Sequence, residues 1–467
     1  MIKDNRKYNL KFLMRVSMVT AMGGLLFGYD WVVIGGAKPF YEPYFGISSS
    51  PALQGWVMSC ALVGCLCGAL ISGWLSDRFG RKKLLILSAA LFMIASAGTG
   101  AAYSLPMFVI FRITGGIGIG LASNLSPMYI AEITPSRARG AFVSINQLTI
   151  VIGILMAQIV NWLIAQPVPA GSGIEDILAS WNGQWGWRWM FFACAVPASL
   201  FFLLMWFVPE SPRWLARDNK NKQKVLGLLT KIGGKEFAIQ EQNAIEETLL
   251  VEKDKTRFSG LFARGTRNLL LIGVILAIYQ QWCGINVIFN YAQEIFSSAG
   301  YTVSDILFNI VITGTVNLVF TFVGMFTVDR LGRKALMLIG AGGLALLFAT
   351  LGLMYFTGMH GLPLLIMVVV SIACYATTLG PVTWVLLSEI FPNRARGTMM
   401  SVATFSLWAA CFVLTYTFPV LNKTLEASGT FWLYSLISVG GFFFILARLP
   451  ETKGKSLEEI EHRLSGN

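Results

Sequence analysis

The sequence predicts an all-α membrane protein of twelve spanning helices in two pseudo-symmetric bundles of six. Three observations carry that expectation. Apolar residues make up 55% of the 467 and charged ones only 13%, about half the charged share of a soluble protein. Apolar windows of about 20 residues, the length that crosses a bilayer, recur along the whole chain. Charged loop sequences also repeat half a chain apart.

The windows lie near 11–36, 52–76, 84–103, 106–130, 140–165 and 189–208, and again near 268–297, 305–328, 335–356, 363–391, 399–421 and 428–449. Between them, D-R-F-G-R-K at 77–82 recurs as D-R-L-G-R-K at 329–334, and A-E-I-T-P-S-R-A-R-G at 131–140 as S-E-I-F-P-N-R-A-R-G at 388–397. A looser pair sets P-E-S-P-R-W at 209–214 against P-E-T-K-G at 450–454. A cassette repeated at the same place in each half of an apolar chain marks a duplicated transporter with its site between the halves.

The net charge of +12 has its meaning in where it lies. With the N-terminus assigned to the cytoplasm, all but four of the 36 Lys and Arg fall on the cytoplasmic side. Lys38, Arg188 and Lys423 lie outside and Arg112 sits within a helix. Loops that follow the positive-inside rule put both termini in the cytoplasm and leave no basic patch to read as a nucleic-acid surface. A cleavable leader is not expected, because the first apolar run carries Asp30 in place of a small-residue cleavage site.

The organisation expected is a bundle over 1–210, cytoplasmic linker helices over 211–266, a second bundle over 267–450 and a cytoplasmic tail over 451–467. The linker alternates Lys, Glu and Gln with Ile, Leu and Val, as short amphipathic helices do. In the tail, Ser456 and Glu459 have capping-box spacing. The long loop at 166–188 offers Trp181, Trp185 and Trp187 to the membrane interface. All seven Cys fall within the apolar windows with no metal-ligand spacing to His, so they read as packing residues and no metal or cofactor is expected. The G-G-I-G-I-G at 115–120 lacks the strand a dinucleotide fingerprint needs, and reads as close helix packing.

Polar residues inside the windows mark the candidate site. At 100° per residue, Ser144, Gln147, Gln158 and Asn161 share one arc of helix 5, a stripe that faces the bundle interior or a water-filled cavity. Thr404, Trp408, Cys411 and Thr415 share a stripe on helix 11. Gln280, Gln281 and Asn286 cannot all face one ligand from an ideal helix, so Gly284 between them predicts a break that re-aims the amides. Amides and indoles suit a neutral polyol, whose hydroxyls both donate and accept. Hydrogen bonding between helices is the alternative for each. Asp30 and Arg112, the only charges deep in the first half, are each costly alone at about 2.5–3.5 kcal/mol, which suits them as partners. An adjacent Arg favours a carboxylate and desolvation favours the acid, so a change of environment there would load and release a proton. A structural ion pair is the alternative.

The cassettes, with L-F-G-Y-D at 26–30, R-I-T-G-G-I-G-I-G at 112–120, Q-Q-W-C-G-I-N at 280–286 and G-P-V-T-W at 380–384, resemble the sugar porter family of the major facilitator superfamily over about residues 12–455. L-A-S-N-L-S-P-M-Y-I-A-E at 121–132 and the long loop are most similar to the bacterial xylose–proton symporters. The resemblance implies the major facilitator fold and sugar contacts from Gln147, Gln280, Gln281, Asn286, Asn317, Trp384 and Trp408. It implies proton coupling through Asp30 with Arg112, and places the chain in the plasma (inner) membrane. A cytoplasmic charge network of Asp77, Arg81, Glu132, Arg139, Glu210, Arg213, Asp329, Arg333, Glu389 and Arg396 is expected to latch the bundles in the outward-facing state. Three positions depart from the relatives: Leu407 in place of an amide, Asn290 in place of the first of two tyrosines, and Cys194 in place of a second carboxylate.

The reading is a monomeric transporter of a pentose or hexose such as xylose, working by alternating access with one proton and needing no protein partner. An uncoupled uniporter is the alternative. A non-transporting sugar sensor is remoter, and an enzyme is not expected.

Overall fold

The computed structural model describes residues 8–135, 138–169, 172–253, 264–298, 300–359, 361–391, 396–449 and 451. The first half holds α1 (Leu10–Tyr44), α2 (Pro51–Phe79), α3 (Arg81–Gly100), α4 (Leu105–Ile133) and α5 (Arg139–Ile164), then the short α6 (Ile174–Ala179), a π turn (Asn182–Gly186) and α7 (Trp187–Met205). The connecting α8 (Pro212–Leu215) and α9 (Lys222–Lys253) follow. The second half holds α10 (Arg264–Trp282), α11 (Ile285–Asn290), α12 (Ala292–Ser298), α13 (Val303–Leu331), α14 (Arg333–Phe356), α15 (Leu362–Thr377), α16 (Leu379–Ile390) and α17 (Arg396–Arg448).

Eleven stretches among the described residues are long and apolar enough to cross a membrane, and the last runs over 50 residues. Backbone at Glu426 (φ 56°, ψ 178°) leaves the helical region, so α17 is two spans and the total is twelve. Side chains such as Phe207, Phe326 and Leu346 stand exposed around the barrel of helices, an apolar perimeter for lipid. Each half packs internally, α1 on α5 and α2 on α4 in the first, α14 and α10 on α17 in the second. The halves meet where α2 lies along α17, α13 along α5, and α1 against α11 and α12.

The repeat seen in the sequence is a repeat in hydrogen bonds. Gly80 (φ 93°) turns α2 into α3 and Gly332 (φ 92°) turns α13 into α14, both at a left-handed φ that glycine alone adopts without cost. Beyond each glycine a carboxylate caps the new helix, where free N–H groups and the helix dipole favour an anion. Glu210 accepts from Arg81 N and Lys82 N, each at 3.1 Å. Glu451 accepts from Arg333 N at 2.9 Å and Lys334 N at 3.1 Å. The lysines also match: Lys82 Nζ donates to Trp206 O at 2.7 Å and Lys334 Nζ to Leu446 O at 2.9 Å. The glycine-rich run on α4 serves packing, since a Cβ on Gly116 would stand 1.9 Å from the Ala61 carbonyl of α2.

Several expectations need correction. The first window extends to Tyr44, through Pro39 and Pro43, because Lys38 and Glu42 neutralise each other one turn apart within the helix. The window at 363–391 is two helices broken at Thr378 (φ −119°, ψ −91°). Pro381 explains the break, since its ring removes an N–H and clashes with the carbonyl four residues earlier. The long loop carries α6 and the π turn. Trp187 is fully buried, donating to Gly183 O at 3.0 Å and meeting the rings of Phe45 and Phe108, so it is no interface residue; Trp185 remains exposed. In the linker, α8 is followed by α9, whose backbone leaves the helical region at Gly234 (φ 83°, ψ 175°), so α9 is two helices. The tail with Ser456 and Glu459 lies outside the described residues.

Candidate functional site

The break expected at Gly284 is present. That residue has φ 92° and ψ −11° between α10 and α11, and the three amides around it join in a chain. Asn286 Nδ2 donates to Gln281 Oε1 at 2.5 Å, Gln281 Nε2 to Gln280 Oε1 at 2.6 Å, and Gln280 Nε2 to the Tyr375 hydroxyl of α15 at 2.6 Å. All three amides are buried. An unbroken helix would have spread them around its circumference.

Trp408 of α17 is 4% exposed and its indole N–H has no protein partner, a donor left for a ligand. Its ring meets Phe27 at 5.4 Å and Trp31 at 6.3 Å between centroids, so an aromatic cluster from α1 closes on it from the other half. Gln147 and Trp384 are half-buried and Asn317 is buried; they sit on α5, α16 and α13, and α13 packs on both of the others. The remaining polar residues of α5 divide by role. Ser144 donates to its own helix at Gly140 O, Asn161 holds α1 by donating to Val33 O at 3.1 Å, and Gln158 faces Gly314 across the two halves. Leu407 is 3% exposed, an apolar neighbour to Trp408.

Asp30 and Arg112 form the expected pair, Nη1 to Oδ1 at 2.5 Å, with the guanidinium 5.8 Å from the Phe191 ring centroid. Cys194 is buried within electrostatic reach of both. A carboxylate that replaces one environment with another as helices move can take up and release a proton.

At the basic face, which holds the start of α1 and the α2–α3 and α4–α5 turns, these pairs among the described residues each lie within one half. Arg81 grips Glu132 with Nε at 3.1 Å and Nη2 at 2.9 Å, and Asp77 with Nη1 at 3.4 Å. Ser211 Oγ donates to Glu132, and Arg217 pairs with Asp77 at 3.0 Å. Arg333 grips Glu389 at 3.0 Å in the second half. Burial pushes the Glu210 carboxyl above the usual range, against the pull of the N–H groups of Ser211, Lys82 and Arg81. Arg139 is exposed and Arg213 half-buried on α8. The side chains of Asp329 and Arg396 lie outside the described residues.

At the opposite face the halves touch. Lys38 of α1 pairs with Glu294 of α12 and stands 3.5 Å from Glu42. Val168 N donates to Ser304 Oγ at 3.0 Å. A Cβ on Gly55 of α2 would meet the Tyr416 carbonyl of α17 at 2.1 Å. Tyr291 is fully buried and donates to Thr415 O at 2.6 Å.

The model of the family described as "Sugar (and other) transporter" matches residues 16–464. The chain belongs to that sugar transporter family. The D-xylose-proton symporter of Escherichia coli K12 is 39% identical, across 98% of this chain and 96% of that one. The arabinose-proton symporter of Bacillus subtilis is 36% identical, across 98% and 96%. Among solved structures, the inward-open xylose transporter XylE from E. coli superposes with a TM-score of 0.84 at 37% identity, covering 97% of this chain and 99% of that one. The fold of this family member is therefore the twelve-helix transporter fold, and the chain is a multi-pass membrane protein.

Sequence reasoning missed Tyr375, Phe27 and Trp31 because aromatic residues in apolar windows carry no signal of their own. Glu451 was visible only as one member of the loosest repeat, and the Lys38–Glu294 pair only once the fold joins α1 to α12.

Proposed function

We propose that this protein carries a monosaccharide of pentose or hexose size, such as xylose, into the cell by alternating access with one proton, as a monomer in the plasma (inner) membrane. Both termini and the basic face lie in the cytoplasm, following the positive-inside rule. In that orientation the closed face is the outer one, and the structure corresponds to the inward-facing state.

One observation carries the reading. The Asp30–Arg112 pair stands next to Trp31, whose ring meets Trp408 of the other half, so a proton-binding group and a polyol-binding group share one contact across the halves. Gln280, Gln281 and Asn286 exchange their mutual bonds for sugar hydroxyls, Gln147, Asn317 and Trp384 complete the wall, and Trp408 supplies a flat face and its free N–H. The cytoplasmic pairs of Arg81, Arg139, Arg333 and Arg396 with Asp77, Glu132, Asp329 and Glu389, joined by Glu210 and Arg213, latch the bundles when the outer face opens. A potential of about 100 mV is worth about 2.3 kcal/mol per charge, enough for roughly fifty-fold accumulation.

The second reading is an uncoupled uniporter with the same sugar site. It draws on Cys194, a thiol where a second carboxylate would assist the proton. Counterflow of labelled xylose in proteoliposomes, competed by glucose, galactose and arabinose, tests the sugar class. Competition by at least one of them is expected; no xylose counterflow and no binding of any of the four contradicts the proposal.

A further inference from the structure

Beside the Asp30–Arg112 pair lies a small cavity that crosses from one half of the protein to the other. Asp30, Met58, Cys65 and Arg112 line it from the first half, Asn290 and Thr415 from the second. Its volume of about 20 Å3 suits a single water, which needs roughly 10–15 Å3 counted the same way and two to four polar partners.

The lining supplies those partners. Arg112 is 4% exposed, and with Nη1 committed to Asp30 its Nε–H has no protein acceptor. Thr415 is 1% exposed and its Oγ1 has no hydrogen-bond partner beyond the Cys411 thiol one turn earlier. Its backbone carbonyl is held by Tyr291, which fixes the residue against the cavity. Asn290, 4% exposed, adds an amide from α11. Leaving such buried groups unpaired is costly, which favours a polar occupant.

The geometry points to a water site that bridges Arg112 of the first half to Thr415 and Asn290 of the second, making the protonation of Asp30 felt by the sugar-binding half only while the outer face is closed. The inference rests on the symport reading. Thr415 and Asn290 are positioning residues. Thr415 follows Trp408 by two turns on α17, and Asn290 ends the short helix that carries Asn286. A proton on Asp30 weakens its hold on Arg112, and the guanidinium then shares itself with the bridge, which draws the two halves together. Opening of the outer face removes Thr415 and Asn290 and returns Arg112 to Asp30. The bridge also gives Arg112 a second polar anchor where Cys194 offers no carboxylate.

The titratable groups around Asp30 are few. They are Arg112 of α4, Cys60 and Cys65 of α2, Cys194 of α7, Tyr29 and Tyr41 of α1, and Cys411 of α17 beyond Thr415. Apart from Arg112 these are thiols and phenols, and among the residues lining the cavity Arg112 lies opposite Thr415 and Asn290 of the second half.

The test compares wild type, Thr415→Val, Thr415→Ser and Asn290→Leu in proteoliposomes, measuring gradient-driven accumulation, downhill counterflow and the pH profile of uptake. Thr415→Val keeps shape and removes the hydroxyl. It is expected to lower the accumulation ratio about tenfold, the equivalent of about 1.4 kcal/mol, and to shift the pH profile while counterflow persists. Thr415→Ser is expected to restore both, and Asn290→Leu to act in the same direction as Thr415→Val. Accumulation and pH profile unchanged in Thr415→Val overturn the inference. If a variant does not fold, ordered water density between Arg112 and Thr415 in a wild-type inward-facing structure supports the bridge, and its absence at a resolution that shows other buried waters overturns it. Loss of gradient dependence in wild type itself contradicts the symport reading instead, so the two failures are distinct.

Discussion

Lys38 of α1 and Glu294 of α12 form an ion pair that joins the two halves at the face opposite the basic loops. Lys38 is 1% exposed, and Glu42 shares it from one turn along α1, itself fixed by Gln54 Nε2 at 3.0 Å. The pair spans the closed face, and Lys38 faces Tyr291, 4.6 Å from its ring centroid. Breaking a buried pair by removing one partner costs about 3–5 kcal/mol. With Glu294 about a quarter exposed, Lys38→Met is expected to fall at the low end of that range and shift the population toward the state open at this face. Spin labels at Ser49 and Asn422, one on each half at its rim, should report a longer distance in Lys38→Met. Lys38→Met/Glu294→Gln should return part of the way.

The amide chain makes a prediction about affinity. Asn286, Gln281 and Gln280 are pre-linked, so each truncation orphans a neighbour and, on the proposed reading, removes a sugar contact. Asn286→Ala and Gln281→Leu are each expected to weaken sugar binding about tenfold, given about 0.5–1.5 kcal/mol per lost hydrogen bond. Quenching of tryptophan fluorescence on sugar binding measures it. Unchanged affinity in both variants removes these amides from the site.

Gly284 is required by its own backbone. A side chain there would be held at φ 92°, with its Cβ 2.8 Å from Tyr434. Such a conformation costs about 1–3 kcal/mol. Gly284→Ala is expected to lower the thermal unfolding midpoint and to weaken sugar binding together, because the amide chain is aimed by this turn. A stable variant with full affinity contradicts that assignment.

Arg81 holds Glu132 through two nitrogens of one guanidinium. A lysine cannot reproduce that fork, so Arg81→Lys tests geometry at constant charge. It is expected to slow transport several-fold with the fold intact, read as turnover against an unchanged thermal midpoint. Turnover equal to wild type would leave the fork without a part in the transport cycle.

The spans and the repeat were legible in the sequence because lipid imposes a length and an apolar composition on each helix, and duplication leaves its cassettes in register. The break at Gly284 was legible too, since three amides at incompatible angles demand one. The break at Thr378 was not, although Pro381 signals it in retrospect, because an apolar window reads as one helix whatever its interior does. Aromatic partners such as Trp31 are silent for a different reason. Their role comes from the other half meeting them, and no local pattern encodes which of many buried rings lies at that seam. The Lys38–Glu294 pair belongs to the same class: both residues look like helix-end charges until α1 and α12 are adjacent. Asp30 and Arg112 were legible because two lone charges in lipid must find each other.

The measurement that bears most directly on the account is uptake of labelled xylose into proteoliposomes with and without an inward proton gradient, for wild type and Asp30→Asn. The account predicts gradient-driven accumulation in wild type that Asp30→Asn abolishes while downhill exchange survives. Equilibration that ignores the gradient in both proteins would contradict it and leave an uncoupled carrier.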